Sequence, residues 1–292
     1  MTRDVIIGAC TNYSWDHIKY WVNSINKSGF DGIKIVVAFT IHKATVDKLI
    51  EAGFSVIIVG KESPDKLMYI HQETRVPIHV ERFFHIWHTL NMIDEPIRYV
   101  VTTDMKDVVF QANPIFVMRH ILDLDDHNLG IVAAGECLKY KDEAWGRDNF
   151  ERCFGPFFYE TFKENEIYNV GTIAGRFQNV KDLCLQIFQM SLNRPIPIVD
   201  QAVFNFLLYN EPYKSTTLFT KPEDGWSTQA GTTADPRKIE EFRINHLHPN
   251  CEPILNEFGI VFPGEDDDCP ITIVHQWDRV PAWAGYIEAT YG

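Results

Sequence analysis

The sequence lacks any long apolar run. Its hydrophobic stretches are of strand length, well short of the roughly 20 consecutive residues that a membrane-spanning helix needs. A soluble chain with no integral membrane segment is therefore expected. Met1 to Gly8 shows no basic stretch leading into an apolar core, so no secretory leader is expected. Six cysteines, Cys10, Cys137, Cys153, Cys184, Cys251 and Cys269, never fall in close pairs. That spacing argues against a zinc site and a disulfide framework, and it favours a reducing, cytoplasmic location. Positive charge is also scarce: 27 Lys and Arg against 40 Asp and Glu leave a formal net charge of -13. A nucleic-acid backbone or an anionic membrane as main partner would ask for a basic face, so neither fits. A small anionic ligand fits where a few basic residues and a metal ion converge. No fixed-period repeat or low-complexity linker interrupts the 292 residues. At 45% hydrophobic and 13% aromatic, they suffice for one large α/β domain.

Hydrophobic periodicity then sets the order of elements. Asp4 to Ala9 reads as a strand, and Trp15 to Lys27 as a helix carrying Ile18, Trp21, Val22 and Ile25 at helical spacing, stopped at Gly29. Ile33 to Phe39 is a second strand, Ala44 to Ala52 a helix and Phe54 to Val59 a third strand. This β-α-β-α-β alternation with short connections predicts a mainly parallel central sheet with helices on both faces. A helix at about His79 to Met92 precedes the next strand. Further on, the pattern predicts helices at about Pro114 to Leu122, Val180 to Leu192 and Asp200 to Tyr209. Strands are expected at Gly130 to Ala134, Gly171 to Ala174 and Ile271 to Val274, and loops with short strands from Thr220 to Pro270.

The most informative segment runs from Arg98 to Phe110, where the β-branched apolar run Val100, Val101, Thr102, Thr103 drives into Asp104, Met105, Lys106 and Asp107. Such a run reads as a buried parallel strand, and its carboxyl end lies where open α/β sheets bind ligands. Two carboxylates at that edge suit a divalent cation and, through it, phosphate oxygens. A strand ending in a capped turn is the plainer alternative.

Five more patterns surround this one. Ala9-Cys10-Thr11-Asn12-Tyr13 follows the first strand and sets an aromatic ring at the same sheet edge; a Tyr packed on its own helix is the alternative. Glu81-Arg82-Phe83-Phe84 places a guanidinium on the preceding helix, suited to phosphate unless it simply faces solvent. In Tyr168-Asn169-Val170-Gly171-Thr172-Ile173, the Gly admits a close backbone approach next to an Asn, though a plain turn would also account for the pair. Asp200-Gln201-Ala202-Val203-Phe204-Asn205 opens a helix that Asp200 can cap, and no such structural reason explains Gln201. Val274-His275-Gln276-Trp277-Asp278-Arg279 closes the last strand, and a His among apolar residues needs a partner, whether a metal or a backbone carbonyl.

Taken in order from Gly8 to Trp283, these six matches resemble the GT-A glycosyltransferases, and among them the glycogenin-like and lipopolysaccharide galactosyltransferase-like retaining group. The resemblance implies a single GT-A (Rossmann-like) domain over 1–292, with a nucleotide-binding half at 1–112 and an acceptor-binding half at 113–292. It implies a donor site of Ala9, Thr11, Asn12 and Tyr13 at the base and ribose, the ring of Tyr13 stacking on uracil. Arg82, Thr103, Asp104, Lys106 and Arg279 would serve the diphosphate. Asp104, Asp107 and His275 would hold Mn²⁺ or Mg²⁺, while Gln201 lies beneath the anomeric carbon with Asp200 and Asn169 beside the donor sugar. Three departures stand out: Lys106 occupies the second acidic position of the Asp-x-Asp motif, Cys10 and Thr11 replace acidic residues, and Val280 replaces a lysine. Pro281 and Trp283 remain, and Arg279 can substitute for the lost phosphate contact.

The activity implied is metal-dependent transfer of a hexose from a UDP-sugar to a hydroxyl of a glycan or glycoconjugate, with retention of configuration. Non-catalytic binding of a glycan or nucleotide on a degenerate transferase scaffold is the alternative. An aromatic, charged stretch from Glu136 to Glu166, including Lys139, Tyr140, Trp145, Arg147 and Phe154, lies where an acceptor would bind. Gly225 to Thr233 is compatible with a loop closing over the ligand, and Glu265-Asp266-Asp267-Asp268 with a solvated turn. Should the reaction invert, Glu136 and Asp142 are the first candidate bases.

Overall fold

The computed structural model describes residues 2–72, 74–123, 128–245, 247, 252–265 and 268–292. Cys251, Asp266 and Asp267 lie outside them. The chain opens with β1 (Arg3–Cys10), α1 (Trp15–Lys27), β2 (Ile33–Ala38), β3 (Ile41–His42), α2 (Lys43–Glu51) and β4 (Ser55–Ile58). Next come β5 (Lys61–Glu62), β6 (Met68–Ile70), α3 (Ile78–Asn91), β7 (Ile97–Thr103), β8 (Val108–Phe110), α4 (Pro114–Asp123) and β9 (Ile131–Lys139). The middle holds α5 (Ala144–Phe154), α6 (Pro156–Phe162), β10 (Glu166–Arg176), α7 (Phe177–Ser191) and α8 (Asp200–Leu208). The last part adds β11 (Thr217–Thr220), β12 (Ser227–Gln229), α9 (Ala230–Thr233), α10 (Pro236–Ile244), β13 (Ile254–Leu255), β14 (Val261–Phe262), β15 (Ile273–His275) and α11 (Pro281–Tyr291).

Seven strands form the central sheet in the order β11-β9-β10-β7-β1-β2-β4. Every pair is parallel except those made by β10, which runs antiparallel to both β7 and β9. Successive side chains of a strand point to opposite faces. Val5 and Ile7 of β1 accordingly pack on the face covered by α3, α7 and α8, and Ile6 on the face covered by α1, α2 and α4. On α1, Ile18, Trp21, Val22 and Ile25 form the buried stripe that spacing predicts. A third apolar cluster seats α11 through Trp283, Ile287 and Tyr291 against Val274 and Trp277.

The mainly parallel sheet with helices on both faces matches the sequence-based expectation, and the second half corrects it in detail. Gly225 to Thr233 is not a loop: it forms β12 and α9, buried throughout from Trp226 to Thr233, with β12 paired to β15. Within the stretch expected to be loops and short strands lies α10, and α11 follows the last strand. The short strand expected at Gly171 to Ala174 is the eleven-residue β10.

Two irregularities interrupt the pairing of β10 with β9: from Glu166–Lys139 to Tyr168–Gly135, two steps on β10 answer four on β9. Tyr168 pairs with Gly135 and Ile173 with Ala133, so five steps on β10 answer two on β9. The surplus residues of β10 form a bulge, a device that re-aims side chains near functional sites. Asn205 of α8 closes its edge, accepting from Tyr168 N–H at 2.8 Å and donating to Tyr168 C=O at 2.7 Å, as a neighbouring strand would.

Candidate functional site

Two cavities lie side by side at the carboxyl end of the central sheet, and Arg279 lines both. The first, of about 290 Å³, is a charged cleft lined by Ala9, Cys10, Thr11, Tyr13, Ile78, His79, Arg82, Asp104, Met105, Lys106, Asp107 and Arg279. The second, of about 420 Å³, is lined by Glu136, Glu143, Trp145, Asn169, Gln201, Gly231, Thr232, Lys238, Gln276 and Arg279.

Asp104 and Asp107 occupy the turn between β7 and β8, and β8 pairs with β15, which brings in His275. Ligand atoms of Asp104, Asp107 and His275 lie within 4.8 Å of one another. His275 Nε2 stands 3.7 Å from Asp104 Oδ2 and 3.5 Å from Asp107 Oδ1. On the far side of the ring, Nδ1 donates to Gln229 Oε1 at 2.6 Å, which fixes the ring's orientation and aims Nε2 at the carboxylates. Burial opposes a charged imidazole, but Asp107, Asp104 and Glu136 outweigh it and raise the pKa of His275. The carboxylates thus favour positive charge at the place where a divalent ion would balance them.

This donor set of two carboxylates and one imidazole fits a hard or borderline divalent cation with coordination positions left for ligand oxygens. Gly171 belongs to the same centre. Its carbonyl accepts from Asp104 N–H at 2.9 Å. A Cβ on Gly171 would stand 2.6 Å from His275 Cε1, 2.7 Å from Asp104 Oδ2 and 2.9 Å from Asn169 Oδ1, so only glycine admits this approach.

Arg82, on α3, bonds Asp104 and also reaches Asp200 Oδ2 at 3.1 Å. Burial works against the charge of Arg82, but Asp104 and Asp200 hold its pKa above the ordinary value. Burial likewise opposes ionised Asp104, which Arg82 and His275 nevertheless hold below its usual range. For Asp200 burial dominates and raises the pKa. Three buried polar atoms near these groups have no protein partner: Arg82 Nε, Asp200 Oδ1 and Thr11 Oγ1. Unpaired buried polar atoms are costly, and a polar ligand in the cleft is one way to satisfy them.

In the second cavity the bulge presents Asn169, and α8 presents Gln201. Both carboxamides donate to Glu136 Oε1, from Asn169 Nδ2 at 2.7 Å and from Gln201 Nε2 at 3.0 Å. Burial raises the pKa of Glu136, as does nearby Glu143, against the two hydrogen bonds. Trp145, half exposed on α5, flanks this cavity.

No protein-family model and no curated protein matches the chain. Solved structures do. The chain aligns with the bifunctional glycosyltransferase WbbM at a TM-score of 0.52 and 13% identity, over 77% of this chain and 40% of that one. Two structures of the glycosyltransferase GlyE from Streptococcus pneumoniae align over 98% of this chain and 60% of theirs. Their TM-scores are 0.52 and 0.54, at 14% and 13% identity. The fold is a glycosyltransferase fold. The chain spans between two and three fifths of the length of these neighbours.

Within this fold the residues singled out from sequence sort into three groups. Ala9, Thr11, Tyr13, Arg82, Asp104, Lys106, Asp107 and Arg279 line the cleft, with His275 at its edge, and Asn169 and Gln201 line the second cavity. Asn12 and Thr103 are not among the lining residues: Asn12 is exposed at a positive φ of 57°, and Thr103 is buried, its hydroxyl accepting from Trp21 Nε1 at 2.8 Å. Asp200 is not a helix cap. Val199 holds that position, and Asp200 is the first helical residue, its carboxylate turned to Arg82.

Asp142 does not line either cavity; its N–H bonds the carbonyl of Lys139 in the turn after β9. Sequence reasoning missed His79, Gln229 and Lys238. His79 lies one turn before Arg82 on the same helix face, a spacing that could have marked it. Gln229 carried no signal, because its role depends on β12 pairing with β15.

Proposed function

We propose that this chain is a metal-dependent glycosyltransferase that moves a hexose from a UDP-sugar to a hydroxyl of a glycan or glycoconjugate, with retention of configuration. The observation that carries the reading is the abutment of a carboxylate-imidazole cluster in a charged cleft and a second, amide-lined cavity, with Arg279 shared between them. In this reading Tyr13 stacks on the base, and Arg82, Lys106 and Arg279 meet the diphosphate. Asp104, Asp107 and His275 would hold Mn²⁺ or Mg²⁺, which when bound supplies Lewis-acid stabilisation of charge on the departing diphosphate. Gln201 and Asn169 flank the sugar, and Asp200 holds Arg82. The departing phosphate takes the acceptor's proton on the same face, consistent with retention.

The acceptor enters by the second cavity beside Trp145; residues 1–112 serve the donor, and 113–292 supply the acceptor side together with Asn169, Asp200, Gln201, His275 and Arg279 on the donor side. A cytoplasmic location goes with this reading. Among the described residues no helix is long and apolar enough to cross a membrane.

Calorimetry with UDP, with and without Mn²⁺, followed by a UDP-release assay over a panel of nucleotide sugars, tests the proposal. Metal-dependent binding and turnover are expected, with an α linkage from a UDP-α-sugar, read from the anomeric coupling in an NMR spectrum. A β linkage would overturn retention and point to Glu136 as a base. The engagement of Arg82 by both Asp104 and Asp200 favours one rival, a binding protein that no longer turns over. Tight UDP binding without turnover on any donor would decide for it.

A further inference from the structure

We infer that Glu136 is a positioning residue, fixing which way the carboxamides of Asn169 and Gln201 face; the inference rests on the glycosyl transfer proposed above. The Glu136 oxygen between the two side chains accepts, so both amide NH₂ groups turn toward it. Glu136 is 7% exposed, and a single oxygen, Oε1, takes both donors. The opposite ends of the two amides are committed as well. Asn169 Oδ1 accepts from Gly171 N–H at 2.7 Å, and Gln201 Oε1 from Val170 N–H at 3.4 Å. The backbone of Glu136 is itself tied down, its carbonyl accepting from Thr232 Oγ1 at 3.0 Å.

A carboxamide has nearly the same shape after half a turn, but donor and acceptor change places. Steric packing therefore cannot choose between the two faces of Asn169 and Gln201, and the charge pattern around them does. Glu136 supplies the acceptor common to both, opposite the Gly171 and Val170 N–H groups that hold their oxygen ends. It also sits on β9 next to Gly135, the partner of Tyr168 at the start of the bulge, whose Gly171 carbonyl holds Asp104 N–H. Orientation errors of this kind can cost about 100-fold in turnover without touching binding of the remote part of a substrate.

The test compares Glu136→Ala, Glu136→Gln and the unaltered protein. Glutamine keeps an oxygen that accepts from both amides but has neither the charge nor the nucleophilicity of a carboxylate. Glu136→Ala is expected to lower kcat about 100-fold with donor KM and UDP affinity unchanged, and Glu136→Gln is expected to regain most of that loss. A second readout needs no turnover: the side-chain amide signals of Asn169 and Gln201 in a ¹⁵N NMR spectrum, assigned with Asn169→Asp and Gln201→Glu. They are expected to shift and exchange faster in Glu136→Ala and to persist in Glu136→Gln. A Glu136→Gln enzyme as inactive as Glu136→Ala, with its amide signals intact, would overturn positioning in favour of a directly reacting carboxylate. Unmoved amide signals in Glu136→Ala would overturn it outright. If the unaltered protein neither binds UDP nor turns over any donor, the proposed function fails instead, and the amide signals still judge the role of Glu136.

Discussion

The two cavities share Arg279 yet rest on opposite chemistry. In the cleft, charge faces charge: Arg82 holds Asp104 and Asp200, His275 faces Asp104 and Asp107, and Lys106 stands 3.5 Å from Asp278. In the second cavity the buried carboxylate of Glu136 is held by two neutral amides, and charge meets charge only where Lys238 stands 3.7 Å from Glu143. In the proposed reading a metal ion and a diphosphate would remake the cleft's cluster of opposed charges, because each ion pair would meet a stronger competitor. A carboxylate satisfied by amides has no such competitor and keeps its arrangement whether or not a ligand is present. The cleft should thus govern metal and nucleotide affinity, and the second cavity should govern turnover.

The largest expected effects break the cleft. Asp104→Ala and His275→Ala each remove a proposed ligand, and Mn²⁺ affinity measured by calorimetry should fall by more than the about 10- to 100-fold that losing an outer partner costs. Gln229→Ala removes such an outer partner and should stay inside that range, the His275 ring now free to turn. Equal Mn²⁺ affinity in all three variants and the parent would show that the cleft is no metal centre.

Gly171→Ala should damage both cavities at once, since the new methyl meets His275, Asp104 and Asn169 together. Overpacking of this kind costs about 1–3 kcal/mol of stability, and Mn²⁺ affinity and kcat should drop together. If only one of them falls, the two cavities are less tightly joined through the bulge than the distances imply.

Gln201→Ala sharpens the division of labour. A polar group used mainly in the transition state affects turnover more than binding, and losing one such group costs about 10²- to 10³-fold in kcat. UDP and Mn²⁺ affinities should stay at the parent's values. A raised UDP dissociation constant with normal kcat would assign Gln201 to the donor's binding and dissolve the contrast.

The same division runs through what was legible in the sequence. The first half is built from β-α-β units whose strands and helices pair with near neighbours, so apolar period alone located α1 and the strands beside it. Asp104, Asp107 and His275 were readable because each ends or follows a strand that delivers it to one edge. The bulge in β10 was not, because it arises from unequal pairing lengths against β9, a property of two distant segments. Asp200 reads as an N-cap from its neighbours, and only the long-range partner Arg82 shows what its carboxylate does. Gly225 to Thr233 reads as a loop because small hydroxyl residues dominate it, and tertiary pairing with β15 overrides that composition.

Tyr13 offers a milder probe of the cleft. Its ring lines the cleft with one side toward His17, at a centroid distance of 5.8 Å, leaving stacking on a base as its expected use. Tyr13→Ala should weaken UDP binding by about 1–3 kcal/mol, or 5- to 150-fold, with the same factor for the sugar nucleotide. Unchanged UDP affinity would make Tyr13 a packing residue and leave base recognition to others.

The smallest effect separates the cavities by the sign of their response to acid, measured on metal-free protein in a chelator. The pKa of Asp104 is lowered in the folded state, against its burial, by Arg82 and His275. Its contribution to stability is therefore full above the ordinary aspartate value and is lost as pH falls through the folded one. The pKa of Glu136 is raised from 4.5 by burial, with Glu143 adding to the shift. Its contribution is full below that ordinary value and is lost as pH rises through the folded pKa. Glu136→Gln cannot titrate, so the difference in unfolding free energy between it and the parent should move against the parent as pH rises above the usual glutamate range. Asp104→Asn should show the reverse, the parent losing its advantage as pH falls. Urea unfolding of the three proteins across that range reads both slopes, and slopes of the same sign would mean that the two carboxylates do not sit in the opposed environments on which the contrast between the cavities depends.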